Sequence, residues 1–370
     1  MRIGIDAHCI GQRKGGNETY TLNLVKHLSL LEPNGDEYIA YLTDAGMRQY
    51  DIFLNGRMTK RLIRPSSPYL RIPFGFALED RRRRLDVFHA QYFLPFNLRC
   101  KTVLTVHDLI YERFPQFYTP GDLRRNRLGI PSSCRRADHI IAVSECTKRD
   151  LVEIYGLDPD RITVTEEGPA ENCKPMDPAA CRNELLSSYG LESPFVLYVG
   201  RPDPRKNLPR LLAAFAELKK KGTPHKLVMV GSKPRDGSDI LSAARNPWLL
   251  DHVMFTGHVP ADHLPVFYNA ASAFVYPSIY EGFGLPVVEA MACGTPTITS
   301  TGSALQELAG DAAVLADPHD VWSIADAMER VLADKELQDT LRKRGLQRSQ
   351  KFSFKTMAEQ TSQIYRRLAS

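Results

Sequence analysis

The sequence predicts an α/β protein built from two doubly wound parallel-sheet domains. Short apolar runs rich in β-branched residues alternate with helix-like segments along nearly the whole chain, as buried parallel strands do in βαβ units. A chain of 370 residues is also too long for one ordinary hydrophobic core and suits two domains.

The first half of the chain supplies the first series of predicted strands. They are residues 2–6, 37–42, 86–90, 102–108, 139–144 and 161–165. A helix is predicted from about Glu18 to Leu31, after a glycine-bearing loop. The β-branched composition of the strands and the helix-like segments between them favour a parallel sheet.

The alternation breaks at residues 166–178, where three prolines and a glycine occur close together. Because prolines and glycines interrupt regular structure, this stretch predicts an interdomain linker. We assign residues 1–168 to an N-terminal domain, 169–178 to the linker and 179–352 to a C-terminal domain. Residues 353–370 are predicted to form a C-terminal helix that packs back on the N-terminal domain.

A second alternating series follows the linker. Its predicted strands are residues 194–200, 225–231, 252–257, 272–277, 295–300 and 312–317, and the chain from about Val321 to Leu368 is predicted to be helical. Ligands of doubly wound sheets bind beyond the carboxyl ends of the strands. The loops that follow the strands are therefore the candidate binding regions.

The composition narrows the compartment and the partners. No apolar stretch approaches the roughly 20 residues needed to cross a bilayer, and the N-terminal MRIGIDAHCIG is typical of a strand, not of a signal peptide. Seven cysteines without a CxxC pair predict reduced thiols in a cytoplasmic protein and no zinc site. Cys134, Cys181 and Cys293 lie in helix-like segments and are predicted to be small core residues.

The net charge of +5 does not by itself indicate nucleic acid, but one segment is strongly basic. Between Arg57 and Asp86 there are nine basic residues and three acidic ones. The basic ones are Arg57, Lys60, Arg61, Arg64, Arg71 and Arg81 to Arg84. Two interpretations stay open: a solvated helix end, or a surface for anionic lipid or an anionic acceptor. Nucleic acid is disfavoured because no aromatic residues interleave with the RRRR run.

Two loops after predicted strands suit a phosphate. Gly15 and Gly16 precede a helix that Asn17 is predicted to cap, and glycines there let backbone N–H groups approach an anion. A flexible turn explains the same pair. After the strand at 194–200, Arg201 and Lys206 are predicted to reach a diphosphate, with a solvated basic loop as the alternative. In the same loop, Arg205 is interpreted as a solvated side chain.

His107 stands at the carboxyl end of the predicted strand at 102–108. An imidazole in that position can bind a substrate hydroxyl or tune a neighbouring group. A histidine bonded to a nearby carbonyl is the equal alternative. Asp108 is predicted either to orient His107 or to cap the next segment.

The segment EGFGLPVVE, residues 281–289, has a carboxylate at each end of a glycine-bearing apolar stretch. Glu281 is predicted to lie on a strand-to-helix loop and Glu289 about one turn into the helix. With the backbone N–H groups of residues 282–284 between them, the two glutamates are predicted to face one ligand.

Motifs of several other enzyme classes do not occur. The sequence has no GxSxG elbow, no HExxH and no GxxxxGK[ST] phosphate loop. Asp158 and Asp160 form a DxD spacing in a polar turn, and a metal site there would need further carboxylates. A bound phosphate is therefore predicted to meet arginine, lysine and helix N-termini and not a metal.

Several segments together resemble the retaining glycosyltransferases of family 4. They are EGFGLPVVEAMACGTP (281–296), GRPDPRKN (200–207), MRIGIDA with its GG pair, TVHDL, HIIAVSECTKRDL and HVMFTGHV. The resemblance spans essentially the whole chain in the family's order. It implies a GT-B fold of two Rossmann-like domains, with the acceptor mainly on the first and a nucleotide sugar mainly on the second. It also implies transfer without a metal or other cofactor.

The resemblance assigns roles to residues of this sequence. It implies that Glu289 binds the ribose hydroxyls, that Arg201 and Lys206 neutralise the leaving diphosphate, and that His107 contacts the donor sugar near the reacting carbon. The donor sugar and phosphate are assigned to Glu281 and to the N–H groups of Gly282, Phe283, Gly284 and Leu285, and the base to the segment around His258 and Val259.

The chain departs from the family pattern in two places. Glu166-Glu167-Gly168 stands where many members have Pro-Asn-Gly, which puts the contacts beside the interdomain hinge in doubt. Asn17-Glu18-Thr19 follows the glycine pair where the family often has Ile-Gly-Arg. The acceptor contacts of this loop are therefore expected to be the chain's own.

The predicted function is metal-independent, retaining hexosyl transfer in polysaccharide biosynthesis. Mannose from GDP-mannose is favoured over a UDP-sugar, and the acceptor is a glycan, lipid-linked or small-molecule hydroxyl. Peripheral contact with an anionic membrane at its inner face is the further expectation. A nucleotide-sugar epimerase of the same fold, or a catalytically idle subunit that binds a glycan or nucleotide sugar, are the alternatives.

Overall fold

The structure is a computed structural model, and it describes residues 1–12, 15–32, 35–49, 58–192 and 194–370. The chain divides into two compact units. The first consists of Met1–Glu167 together with Ser353–Ser370, and the second of Gly168–Phe352. Between Thr165 and Asp177 the chain forms neither helix nor strand.

The described part of the first unit contains a seven-stranded parallel sheet. Its strands are β1 (Arg2–Asp6), β2 (Glu37–Leu42), β3 (Met58–Leu62), β4 (Val87–Gln91), β5 (Lys101–Val106), β6 (His139–Ala142) and β7 (Ile162–Val164). Their spatial order is β3-β2-β1-β4-β5-β6-β7. The chain order therefore reverses between β1 and β4, which is where doubly wound sheets open a crevice for ligands.

Helices connect these strands. They are α1 (Gly16–Leu30), α2 (Asp44–Gln49), α3 (Pro68–Leu70), α4 (Phe76–Arg83), α5 (Ile110–Arg113), α6 (Pro120–Arg136) and α7 (Glu145–Tyr155), with a π-helical turn at Arg71–Gly75 between α3 and α4. Several of these helices begin or end at residues that are suited to capping a helix. Ser144 caps α7 by accepting the Thr147 N–H, and α7 stops at Gly156 in the left-handed conformation.

The second unit contains, in its described residues, a six-stranded parallel sheet. Its strands are β8 (Phe195–Val199), β9 (Lys226–Val230), β10 (Val253–Gly257), β11 (Ala273–Tyr276), β12 (Thr297–Ser300) and β13 (Ala313–Ala316). The order β10-β9-β8-β11-β12-β13 again reverses, here between β8 and β11. Residues such as Leu197, Val228 and Phe274 are fully buried in the strands, as a sheet covered on both faces requires.

Eight helices in the described residues belong to the second unit, and the last helix of the chain belongs to the first unit. They are α8 (Pro178–Tyr189), α9 (Leu208–Lys220), α10 (Asp239–Ala244), α11 (Leu264–Ala270), α12 (Leu285–Ala292), α13 (Ser303–Ala309), α14 (Val321–Ala333) and α15 (Lys335–Ser349). The last, α16 (Phe354–Ala369), packs against α1, β4 and β5. There the Tyr365 hydroxyl lies 2.6 Å from Nδ1 of His89.

The structure confirms the predicted fold class and corrects three details. Strand β3 was not predicted, because its sequence MTKRL is polar; it is the edge strand of its sheet. Lys60 and Arg61 therefore lie in a strand and not at a helix end, whereas Arg81 to Arg83 do form the last turn of α4. Arg57 lies outside the described residues.

The predicted cap of α1 is also wrong. The helix begins at Gly16, and its N-cap is Gly15, whose φ of 68° favours glycine. Asn17 lies inside the first turn, where its carbonyl accepts a hydrogen bond from the Thr21 hydroxyl. The cysteines agree with expectation: Cys134, Cys181 and Cys293 are buried free thiols.

Candidate functional site

The second unit brings two of the predicted loops together. Residues 200–207 follow β8 and residues 277–284 follow β11, and these two strands are hydrogen-bonded neighbours. Both loops therefore start from the same edge of the sheet. The backbone N–H of Ile279 donates to the carbonyl of Arg205 at 2.8 Å and joins the loops directly.

Glu281 is the centre of a buried ion-pair cluster. Its Oε1 lies 2.5 Å from Nζ of Lys206 and its Oε2 lies 2.8 Å from a terminal nitrogen of Arg205. Burial alone would raise the pKa of the Glu281 carboxyl, but the two cations outweigh it and hold that pKa below its ordinary value. Glu281 is therefore a carboxylate with a fixed orientation.

Lys206 is a buried member of the same cluster. Its ammonium also donates to the Tyr276 hydroxyl. Burial lowers the pKa of Lys206 to about 8, although the charge of Glu281 works in the opposite direction. The Lys206 side chain is therefore mostly protonated at neutral pH and loses its proton as the pH rises through about 8.

Arg205 corrects the sequence interpretation. It was expected to be a solvated side chain, yet it pairs with Glu281 and only 21% of its side chain is exposed. No local pattern marks it, because its partner lies 76 positions further along the chain. Lys206 and Arg205 together fix both oxygens of one carboxylate.

Arg201 is in a different environment from Lys206. It is exposed and lines a pocket of about 520 Å³ between the loops that follow β8 and β9. The other lining residues are Pro202, Asp203, Pro204, Ser232, Lys233, Arg235, Ser238 and Ile240. Lys233 and Arg235 were missed by the sequence analysis, and with Arg201 they outnumber the single acid, Asp203. The pocket suits an anionic ligand.

Glycine is required where these loops approach one another. Gly231 has a φ of +140°, and a Cβ atom there would lie 2.0 Å from the carbonyl oxygen of Gly200. Gly284, the N-cap of α12, has a φ of +119°, and its Cβ would lie 2.6 Å from Leu305. At Gly231 two backbone segments come close together, and at Gly284 the backbone lies against the Leu305 side chain; a Cβ atom would prevent either contact.

The segment from Gly282 to Leu285 leads into the N-terminus of α12. Phe283 is buried, and its ring meets that of Phe352 edge-on at 5.7 Å. Its side chain therefore packs in the core, and the predicted contact with the ligand falls to its backbone N–H group. Helix N-termini present N–H groups and a positive dipole end to anions.

Glu289 lies on α12, half-buried, and differs from Glu281 in its partners. Its Oε2 accepts a hydrogen bond from the Tyr268 hydroxyl at 3.0 Å. Burial raises the pKa of the Glu289 carboxyl to about 7, although the Tyr268 hydrogen bond lowers it. Near neutral pH Glu281 is therefore ionised, whereas Glu289 exchanges between its protonated and ionised forms.

His258 and Val259 follow β10, the edge strand of this sheet. Val259 is buried and His258 is exposed. They stand at the carboxyl end of a strand next to β9, whose own loop lines the pocket.

In the first unit, His107 is a buried residue at the end of β5. Its Nε2 lies 2.8 Å from Oε1 of Gln91, and its ring meets that of Tyr20 edge-on at 4.8 Å. Burial lowers the pKa of His107 to about 3, so the imidazole is neutral. The nearby carbonyl of the alternative interpretation is present, and it is the side-chain amide oxygen of Gln91. Asp108 accepts the Ile110 N–H at 3.3 Å at the start of α5, whose N-cap is Leu109.

Two acidic residues near these strand ends were not among the predicted site residues. Glu167, one of the residues that depart from the family pattern, is buried with Oε1 4.0 Å from Nδ1 of His107. At the end of β1, Oδ1 of buried Asp6 lies 2.8 Å from Nδ1 of His8. The latter pair stands beside the point where the strand order reverses.

The glycine pair is less uniform than predicted. Gly15 needs its positive φ, whereas a Cβ at Gly16 would meet nothing within 4 Å. Of this pair, only Gly15 therefore has a conformation that requires glycine. Both are exposed at the start of α1.

Two family models match the chain. One is described as Glycosyltransferase Family 4 and matches residues 14–168, and the other as Glycosyl transferases group 1 and matches residues 187–348. The O-antigen chain mannosyltransferase B of Escherichia coli is 32% identical over 76% of this chain and 74% of its own. The chain belongs to glycosyltransferase family 4.

Solved structures place this glycosyltransferase in the GT-B fold. Sucrose-phosphate synthase from Thermosynechococcus elongatus superposes with a TM-score of 0.79, at 25% identity, over 100% of this chain and 99% of its own. A structure of HepE from Anabaena in complex with UDP-glucose gives a TM-score of 0.77 at 18% identity, covering 98% of this chain and 99% of its own. The chain also spans about a third of the length of some longer curated mannosyltransferases.

The arrangement of polar side chains and the length of the helices bear on metals and membranes. Within the described ranges, no group of three or more histidine, cysteine or acidic side chains is arranged to hold a metal ion. None of the helices in the described part of the chain combines the length and the apolar character needed to span a bilayer.

Proposed function

We propose that this glycosyltransferase moves mannose from GDP-mannose to a hydroxyl of a growing, lipid-linked glycan, with retention of configuration and without a metal. One observation carries the proposal: the loops after β8 and β11 hold Glu281, Arg205 and Lys206 in a single cluster beside the N-terminus of α12. Cations and N–H groups suit a diphosphate, and a fixed carboxylate suits the hydroxyls of a sugar.

The choice of mannose rests on a relative. The O-antigen chain mannosyltransferase B of Escherichia coli is alike over most of both chains. That likeness also supports a role in the assembly of a polysaccharide chain. We further propose that this chain grows on a lipid carrier at the cytoplasmic face of the inner membrane. A UDP-sugar is the second donor to test.

The diphosphate is assigned to Arg201, Lys206 and the N–H groups of residues 282–285. When the bond between the sugar C1 and the phosphate oxygen breaks, that oxygen gains negative charge. Preorganised cations stabilise this charge more than they stabilise the intact donor, which is the usual source of catalysis in such transfers. The acceptor hydroxyl attacks C1 on the same face, and its proton passes to the departing phosphate oxygen.

The remaining contacts follow the chemistry of each side chain. Glu281 binds hydroxyls of the donor sugar and Glu289 those of the ribose, while His258 and Val259 line the base. His107, neutral at working pH, accepts or donates one hydrogen bond to the donor sugar near C1. Gly15 and Gly16 are assigned to the phosphate or acceptor side of the first unit.

The acceptor is assigned to the first unit, where the strand order reverses. Beside that point His8 is held by Asp6, with the hydrogen bond on Nδ1. An Asp–His pair of this kind fixes the ring and leaves Nε2 for a second partner. We assign that partner as an acceptor hydroxyl.

The decisive experiment combines donor binding with product analysis. Purified protein is screened by thermal shift against GDP-mannose, UDP-glucose and ADP-glucose, since a ligand at 100 times its Kd stabilises by about 2.7 kcal/mol. Release of nucleoside diphosphate is then followed with a mannose-terminated acceptor, with and without EDTA. We expect stabilisation by GDP-mannose, acceptor-dependent GDP release in EDTA, and an α-linked product by NMR.

The outcomes separate the alternatives. An epimerised nucleotide sugar without transfer identifies an epimerase, and donor binding without any turnover identifies an idle binding subunit. Activity lost in EDTA and restored by magnesium or manganese contradicts the metal-free assignment. A β-linked product contradicts retention.

A further inference from the structure

The segment from Tyr69 to Arg84 presents an unusual surface on the first unit. Among the described residues that are large, apolar and exposed, four lie within ten positions here. They are Tyr69, Leu70, Phe74 and Leu78, exposed by 80%, 49%, 66% and 47% respectively. Contiguous apolar surface of this kind on a soluble domain marks a contact site.

Their spacing places these side chains on one ridge. Leu70, Phe74 and Leu78 are four positions apart in helical backbone, so they lie above one another, and Arg82 continues the series. Tyr69 adjoins the start of this ridge. We name Tyr69, Leu70, Phe74 and Leu78 the apolar ridge.

The opposite side of the same segment is firmly attached to the domain. Phe76 is fully buried and its ring lies 4.9 Å from that of Phe88. Buried Asp80 accepts the Arg99 N–H at 2.7 Å, and buried Arg71 donates to the Ser66 carbonyl at 2.6 Å. The apolar ridge is therefore presented outward by a segment that is packed on its other face.

Positive charge adjoins the apolar ridge. Arg81, Arg82 and Arg84 are exposed and Arg83 is half-buried at the end of α4. Glu79 pairs with Arg82 at 3.7 Å and Asp80 is buried, and the four arginines still outnumber the acids of the segment. Exposed Asp86 accepts the backbone N–H of Arg2.

We propose that the apolar ridge and Arg81 to Arg84 form a docking surface for an anionic lipid bilayer. Apolar side chains of an interfacial helix enter the boundary between headgroups and acyl chains, and basic residues at its edge bind anionic headgroups. A second copy of the chain fits less well, because a symmetric contact would bring the arginine clusters toward each other. This inference rests on the proposed function in one respect, the lipid-linked acceptor, and vesicle binding is measured without donor or acceptor so that the two proposals can fail separately.

Two variants divide the surface into its parts. Leu70→Ser, Phe74→Ser and Leu78→Ser together remove three of the four side chains of the apolar ridge, and Arg81→Gln to Arg84→Gln remove the charge. The matched controls lie on the second unit. They are Leu186→Ser with Leu250→Ser and Trp322→Ser, which are comparably exposed, and Lys220→Gln with Lys221→Gln, Lys335→Gln and Lys343→Gln, which remove the same charge.

The assay is co-sedimentation of the full chain with vesicles of phosphatidylcholine alone or mixed with phosphatidylglycerol, at low and high salt. We expect the wild type to prefer the anionic vesicles. The arginine variant should bind them at least tenfold more weakly and lose the salt dependence. The ridge variant should lose on the order of a hundredfold and keep the salt dependence of what remains. Both controls should bind as the wild type does.

Three results would overturn the proposal. One is a wild type that does not bind anionic vesicles, and another is equal binding by wild type and both surface variants. The third is a concentration-dependent dimer, seen by sedimentation, that the ridge variant abolishes while vesicle binding is unchanged. Unchanged melting temperatures of the variants establish that any loss of binding is not unfolding.

Discussion

Replacing Glu281 by glutamine tests the electrostatics of the candidate site most directly. Lys206 has a pKa of about 8, since burial lowers it and the Glu281 carboxylate opposes that lowering. If Lys206 must be protonated to stabilise the leaving diphosphate, activity falls as pH rises through its pKa. Removing the carboxylate removes the opposing charge, so this fall should move to lower pH.

The structure sets the size of the shift. The two charged atoms are 2.5 Å apart and both side chains are buried, and an opposite charge within about 4–6 Å typically moves a pKa by about 1–3 units. Arg205 remains beside Lys206 in the variant and lowers its pKa further. A one-unit shift reduces the protonated fraction of Lys206 at pH 8 from about a half to about a tenth.

The measurement is the pH profile of kcat/KM for the donor, because that ratio reports the pKa values of the free enzyme. Glu281→Gln lowers activity at every pH if it also contacts the sugar, so the position of the alkaline limb is the informative quantity. Glu289→Gln is the control, since Glu289 hydrogen-bonds Tyr268 and does not contact Lys206. An alkaline limb at the same pH in wild type and Glu281→Gln would refute the coupling.

Four further substitutions test the other assignments. Arg201→Ala and Lys206→Ala should each lower kcat/KM by about 10²–10³, or about 2.7–4 kcal/mol; only Lys206→Ala should also lower Tm, because it leaves buried Glu281 with one cation fewer. Near-normal turnover in both would contradict the diphosphate assignment. Glu289→Gln should raise the donor KM more than it lowers kcat, and the wild-type KM should rise below about pH 7 while that of the variant stays flat. A parallel pH dependence in both proteins would remove Glu289 from the ribose. His8→Gln should raise the acceptor KM and leave donor binding in the thermal-shift assay unchanged, and an altered donor shift would place His8 elsewhere.

The sequence predicted the sheets well because their strands are buried. Twelve of the strands are largely apolar runs, a pattern that is typical of buried strands and not of surface segments. Each of them begins and ends within two residues of its predicted bounds. The polar strand β3 was missed since an edge strand with one neighbour need not be apolar. Gly15 was taken for part of a phosphate loop, but its positive φ at the N-cap of α1 is also a structural requirement.

Site positions were predictable where the pattern is local, and pairings were not. Glu281 and Lys206 follow buried strands of the second sheet and His107 follows one of the first, and the rule for parallel sheets places each at the carboxyl edge of its own sheet. That Arg205 pairs with Glu281 depends on β8 and β11 being neighbours, which the reversal of strand order creates. The approach of Glu167 to His107 likewise joins the ends of distant segments.

Burial explains why two glutamates of one motif behave differently. Both carboxyls lose water in the folded chain, which by itself raises a carboxyl pKa. Glu281 meets two cations within hydrogen-bond distance and remains ionised, whereas Glu289 meets the Tyr268 hydroxyl and has a pKa of about 7. A neutral hydroxyl cannot replace the solvation that a cation replaces. The motif therefore contains one ionised carboxylate and one titrating group. If Glu289 binds the ribose as proposed, donor binding is sensitive to pH within the physiological range.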